Sequence, residues 1–143
     1  MFKIIRKKQL NEQVVLFEIE APFIAAKAEA GQFIIFRLDE QGERVPLTIA
    51  DYDRQKGSIT IIFQTVGAST MKLGELNEGD YISDVVGPLG TPTEYGDNIR
   101  KVAVIGGGVG CAIAYPQAKK LFGMGAEEDW CCVEGISHCS HRF

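Results

Sequence analysis

The chain is 143 residues long, 45% apolar and 24% charged, with a formal net charge of −4. These values suit a globular domain and leave no basic footprint for nucleic acid. No run approaches the ~18 apolar residues of a membrane-crossing helix, and Met1 to Lys8 leads into no apolar signal-peptide core, so a cytoplasmic protein is expected.

From residue 1 to about 95 the chain reads as short strands separated by turn residues. Val14 to Ile19 forms the first clear strand and ends at Ala21-Pro22. Gln32 to Leu38 follows, entered through Gly31, and the polar loop Asp39 to Glu43 turns it into an extended segment from Arg44 to Ile49. Gly57 closes a turn before Ser58 to Val66, where β-branched residues dominate. Ser69 to Leu76 allows one or two helical turns. The turn Asn77-Glu78-Gly79-Asp80 leads into Tyr81 to Val86, a strand stopped by Gly87-Pro88. Six or so such strands predict a small closed barrel, because closure removes exposed edges.

After Asn98 the pattern changes. A strand over 101–105, a helix over 109–121 and a strand from Trp130 to Val133 compose one βαβ unit. The domains expected are therefore 1–97 and 98–143, the second ending in an irregular tail.

Three segments bear chemistry. The first is Gly106-Gly107-Gly108-Val109-Gly110, between an apolar strand and a helix. Glycines there allow a sharp turn and close approach, while the helix start aims N–H groups at an anion. The match to G-x-G-x-x-G is imperfect, since Cys111 holds the third position, and a tight turn without ligand remains open. Glu134 stands near the distance at which an acidic residue serves a ribose hydroxyl.

The second segment is Arg44-Val45-Pro46-Leu47-Thr48. Arginine grips phosphate oxygens bidentately, and proline in a strand implies an edge or a ligand-facing position. A surface arginine in a hairpin is the other reading. The third is Val66-Gly67-Ala68-Ser69-Thr70, in which a hydroxyl is either a helix cap or part of an anion site.

The four cysteines all lie between Cys111 and Cys139, which is no disulfide framework for the whole chain. Cys131, Cys132, His138, Cys139 and His141 cluster near the end, but adjacent strand residues point to opposite faces and no C-x-x-C pair is present, so no metal site is expected.

Taken in order, Ala30-Gly31-Gln32-Phe33, Arg44 to Thr48, Gly67 to Thr70, Gly79-Asp80, Gly87-Pro88-Leu89-Gly90 and Gly106 to Gly110 resemble the ferredoxin–NADP reductase superfamily, in the branch that holds the dihydroorotate dehydrogenase electron-transfer subunit. The resemblance covers about residues 1–125. It implies a six-stranded antiparallel Greek-key FAD-binding barrel, then the first βα(β) of an incomplete α/β nucleotide-binding domain. By the family's pattern Arg44 would hold the FAD pyrophosphate, Pro46, Leu47 and Thr48 would line the isoalloxazine ring, and Phe63 and Gln64 would lie along the flavin or its ribityl chain. Gly67, Ser69 and Thr70 would donate to the pyrophosphate; Gly107, Gly108 and Val109 would border the pyridine nucleotide. The resemblance further implies NAD(P)H as substrate and a larger oxidoreductase subunit or ferredoxin as partner. Members of this branch run on for more than a hundred residues and carry a cysteine-ligated [2Fe–2S] centre. The expectation is thus a truncated chain without those ligands, either an electron-transfer flavoprotein or a non-catalytic flavin-binding module.

Overall fold

The computed structural model describes residues 1–133. The strands are β1 (Phe2–Gln9), β2 (Val14–Glu20), β3 (Phe33–Arg37), β4 (Val45–Asp53), β5 (Ser58–Gln64), β6 (Tyr81–Ile82), β7 (Asp84–Leu89), β8 (Lys101–Gly107) and β9 (Glu127–Val133). The helices are α1 (Pro22–Lys27), α2 (Ala68–Glu75) and α3 (Gly110–Gly123). The first seven strands form one antiparallel sheet in the order β6-β1-β2-β5-β4-β3-β7. β6 and β7 are two parts of one extended stretch interrupted at Ser83. One part pairs with β1 at one edge of the sheet, the other with β3 at the opposite edge. That shared stretch nearly closes the barrel with Greek-key connectivity, and it explains why seven strand segments stand where six strands were expected.

Alternation fills the barrel. Phe17 and Ile19 of β2, Ile34 and Phe36 of β3, Ile59, Ile61 and Phe63 of β5, and Ile82 of β6 are buried together. Phe17 and Phe63 meet edge to face with centroids 5.3 Å apart, a geometry aromatic quadrupoles favour. Two elements were not picked out from the sequence. β1 carries Lys3, Arg6, Lys7 and Lys8 and buries only Ile4 fully, so its apolar alternation is faint. α1 is six residues long and opens with Pro22 at its first turn, where a missing N–H costs nothing; its Ile24 and Ala25 join the barrel core.

β1 also secures α2. The Lys7 ammonium donates to the carbonyls of Gly74 and Leu76, each at 2.7 Å, at the helix C-terminus, where carbonyls lack intrahelical partners and the dipole favours a cation. Lys7→Met is expected to lower stability by about 1–3 kcal/mol, read as a lower midpoint in urea with an unchanged slope.

The second sheet holds β8 and β9 in parallel register, Lys101 opposite Glu127 through Gly107 opposite Val133, with α3 as the crossover. The βαβ unit read from the sequence is therefore present. Its helix runs two residues beyond 121, and β9 begins three residues before Trp130. The expected irregular tail, Glu134, His138, Cys139 and His141 lie outside the described residues.

Candidate functional site: a barrel groove beside a glycine turn

The β3–β4 register decides which side chains face outward. Phe33 stands opposite Thr48, Ile34 opposite Leu47 and Ile35 opposite Pro46. Because neighbours along a strand alternate faces, Leu47 turns with buried Ile34 toward the core, against which it packs. Pro46 and Thr48 turn outward with Phe33. These residues and Gly31 line an open groove of about 290 Å³. Its lining side chains are apolar apart from the Thr48 hydroxyl, and polar backbone atoms complete the wall. Gly31 has φ of +94°, in the left-handed region that glycine adopts without strain.

A second depression, about 190 Å³, lies on the other side of Arg44 in sequence and is lined by Leu38, Asp39, Gln41, Gly42, Glu43, Ala68, Ser69 and Lys72. It joins the β3–β4 loop to the start of α2. Gly67 caps that helix in extended conformation and brings no side chain to the task. The Thr70 hydroxyl accepts from the Gly67 N–H and donates to its carbonyl, both at 3.0 Å. Thr70 is thus engaged as a local cap. Ser69 donates to the Glu43 carboxylate at 2.8 Å, so an acidic oxygen already sits beside the first turn of α2. Arg44 is exposed, and neither it nor Lys72 forms an ion pair among those in the described residues. Lys72, which lines the second depression, and Arg44, which follows Glu43 of that depression in sequence, are thus both without a carboxylate partner.

Pro46, Leu47 and Thr48 therefore line the groove and Ser69 the second depression, while Arg44 lies in sequence between Glu43 of the one and Pro46 of the other, and Gly67 precedes Ala68. Phe63 does not join them, because its side chain is 1% exposed and lies inside the barrel. Only the backbone of that position can meet a ligand. Gln64 is exposed and donates to the Gln13 side chain at 3.3 Å. Phe33 and Lys72 were not singled out as site residues. Phe33 belongs to the motif Ala30 to Phe33, but Lys72 carries no sequence signal beyond its place one turn after Ser69.

The glycine turn caps the βαβ unit. Gly106 is buried against α3, where an added Cβ would come within 3.0 Å of the Cys111 Cα. Small residues at 106 and 111 are what let the helix pack this closely. Gly108 has φ of +53°, and an added Cβ there or at Gly110 would meet nothing within 4 Å. The outer side of the turn, with exposed Gly107 and half-buried Val109, is open to a ligand.

α3 rests on the barrel through a polar seam. Lys119 donates to Asp51 at 2.7 Å. Lys120 donates to the Thr93 carbonyl at 3.0 Å, and Gln117 donates to the Thr93 hydroxyl at 3.0 Å and accepts from Tyr95. Burial works to lower the Lys119 pKa, but the hydrogen bond and charge of Asp51 outweigh it, and the net shift is upward. Burial raises the pKa of Tyr52 and of Tyr115. At neutral pH the lysine is charged and both phenols are neutral.

No family model matches the chain. It is 48% identical over 135 residues to a protein from Clostridium beijerinckii described as an uncharacterized protein in the adh 3′ region, covering 90% of this chain and 46% of that one. It is 44% identical over 119 residues to the dihydroorotate dehydrogenase B (NAD(+)) electron transfer subunit homolog of Thermotoga maritima, covering 83% of this chain and 42% of that protein. A solved structure of NADH-dependent reduced ferredoxin-NADP oxidoreductase, described for flavin-based electron bifurcation, superposes with a TM-score of 0.89 at 41% identity, covering 92% of this chain and 48% of its own. The chain spans about half the length of the relatives it matches. Among the described residues no helix is long and apolar enough to cross a membrane, and no group of three or more metal-ligating side chains occurs. The chain is a homologue of the dihydroorotate dehydrogenase B electron-transfer subunits and carries the ferredoxin reductase-like fold.

Proposed function

We propose that the barrel binds FAD across the two depressions and that the chain is the flavin-bearing part of an electron-transfer oxidoreductase. The observation that carries this reading is the strip from Thr48 through Arg44 to Ser69. It presents a groove lined by Phe33, Pro46, Leu47 and Thr48, an exposed arginine without an ion pair, and the N-terminus of α2, whose last turn carries a second unpaired cation, Lys72, lining the same depression as Ser69. A flavin needs the same sequence of chemistries: a flat apolar wall for its ring, then donors and positive charge for its pyrophosphate. The residues present fit that group.

Arg44 and the α2 N-terminus would hold the pyrophosphate, with the Glu43 carboxylate moving off Ser69 to admit it. Phe33, Pro46 and Thr48 would seat the ring, and Gly107, Gly108 and Val109 would border a pyridine nucleotide. When bound, FAD supplies the redox chemistry, accepting electron pairs from NAD(P)H and releasing electrons to an acceptor. The chain's own residues bind, orient and exclude water, and none is assigned as an acid or base. A larger subunit or a ferredoxin is the acceptor proposed, by analogy with the names of the relatives.

Titration of the purified protein with FAD and with FMN tests the reading. Saturable quenching of FAD fluorescence at micromolar concentration is expected, with weaker binding of FMN, which lacks the pyrophosphate linkage. Absence of FAD binding overturns it. Anaerobic mixing of the loaded protein with NADH or NADPH separates an active flavoprotein, which bleaches, from a flavin-binding module, which does not.

A further inference from the structure

Thr93 lies between Gly90 and Arg100, a stretch without strand or helix that links the barrel to the βαβ unit. Its N–H donates to the Ala30 carbonyl at 2.9 Å. Its carbonyl and hydroxyl accept from Lys120 and Gln117 of α3. Its hydroxyl also fills the space beside Gly31, where an added Cβ would approach within 2.3 Å. Gly31 lines the barrel groove. One linker residue thus touches both the groove wall and the helix that carries the glycine turn.

β4 makes a second connection between the same two places. Pro46 and Thr48 face the groove near its start, and three residues beyond Thr48 Asp51 holds Lys119. On α3, residues 117, 119 and 120 follow the glycine turn by about two helical turns. Gln117, Lys119 and Lys120 lie within one turn, but 117 and 119 are about 200° apart around the axis, so partners on two separate elements restrain the helix's rotation as well as its position, which one anchor cannot do. The hydrogen bonds and ion pairs of this seam are polar and partly exposed, with side-chain exposures of 50% for Lys119 and 32% for Asp51. Contacts of that kind between units within a chain ordinarily permit relative motion. A set orientation therefore needs specific pairs to hold it.

We propose that Lys119 with Asp51, and Gln117 and Lys120 with Thr93, form a two-point positioning device that sets the glycine turn at a fixed angle to the barrel groove. These are positioning residues: none lines the groove or the turn. The device deepens the FAD reading and rests on it for its purpose, which is to hold a nucleotide at the turn in line with a ring in the groove.

Hydrogen exchange of the full chain, with and without FAD, tests the proposal in Q117A/K119M, in K119R, and in the reversed pair Asp51→Lys with Lys119→Asp. In Q117A/K119M the α3 and β8 amides are expected to exchange about tenfold faster, since the Asp51 anchor is lost and the Thr93 anchor keeps only its Lys120 bond, while β2 and β5 amides are unchanged. K119R is expected to behave as the unaltered chain, and the reversed pair to recover most of the protection. FAD affinity is expected to stay within twofold throughout. Unchanged α3 exchange in Q117A/K119M, acceleration spread evenly through the barrel, or no recovery in the reversed pair overturns the device. Failure of every form to bind FAD overturns the flavin reading instead and leaves the exchange result standing.

Discussion

Phe63→Ala is expected to destabilise the protein by about 3–5 kcal/mol, and to do so without any direct loss of ligand contact. Phe63 is 1% exposed and packs edge to face on Phe17 within the barrel core. Removing the ring deletes its transfer energy and leaves a cavity walled by strands that hydrogen bonding keeps apart, so little collapse is available. A domain of this size has roughly 5–15 kcal/mol in all, and the thermal midpoint is expected to fall by about 10–20 °C. Phe63→Leu separates this structural role from a flavin contact. It keeps much of the volume and is expected to cost far less, with FAD affinity unchanged in the folded protein. A large loss of FAD affinity in Phe63→Leu at undiminished stability would place the ring at the ligand after all.

The same residue shows where sequence reading stopped. Period-two alternation in Ser58 to Gln64 marks a half-buried strand but does not say which face looks inward; the register with β2, Phe63 opposite Val15, settles that. The resemblance to a family assigned Phe63 to the flavin, but in the barrel its side chain turns from the surface. Leu47 is a milder case, since the pairing with Ile34 turns its side chain toward the core while it still borders the groove. The barrel itself was legible because turn residues at Gly31, Gly57 and Gly79 punctuate apolar runs. β1 was not, because four basic residues mask a strand that buries little more than Ile4. The seam between barrel and βαβ unit had no local signature at all. Asp51, Thr93 and Lys119 are distant in sequence, and only the folded topology brings their elements together.

The role of Arg44 rests on a contrast between what it does for the fold and what it offers a ligand. It is exposed and has no ion pair among those in the described residues, so Arg44→Ala is expected to change stability by less than about 0.5 kcal/mol. A guanidinium donating to a pyrophosphate forms charge-assisted hydrogen bonds worth about 1.5–3 kcal/mol, and the expected result is a Kd for FAD raised by roughly 10–150-fold. Arg44→Lys keeps the charge but not the planar fork, and an intermediate loss is expected. Ionic strength supplies a further check. Salt screens exposed charges, so FAD binding by the unaltered chain is expected to weaken as salt rises, and binding by Arg44→Ala to weaken less. Lys72→Ala is expected to have a smaller effect, because an ammonium on a flexible stem acts as a point charge. If Arg44→Ala binds FAD as tightly as the unaltered chain, the strip from Thr48 to Ser69 is not the pyrophosphate path. The groove lined by Phe33, Pro46 and Thr48 would then have to hold its ligand without the Arg44 cation.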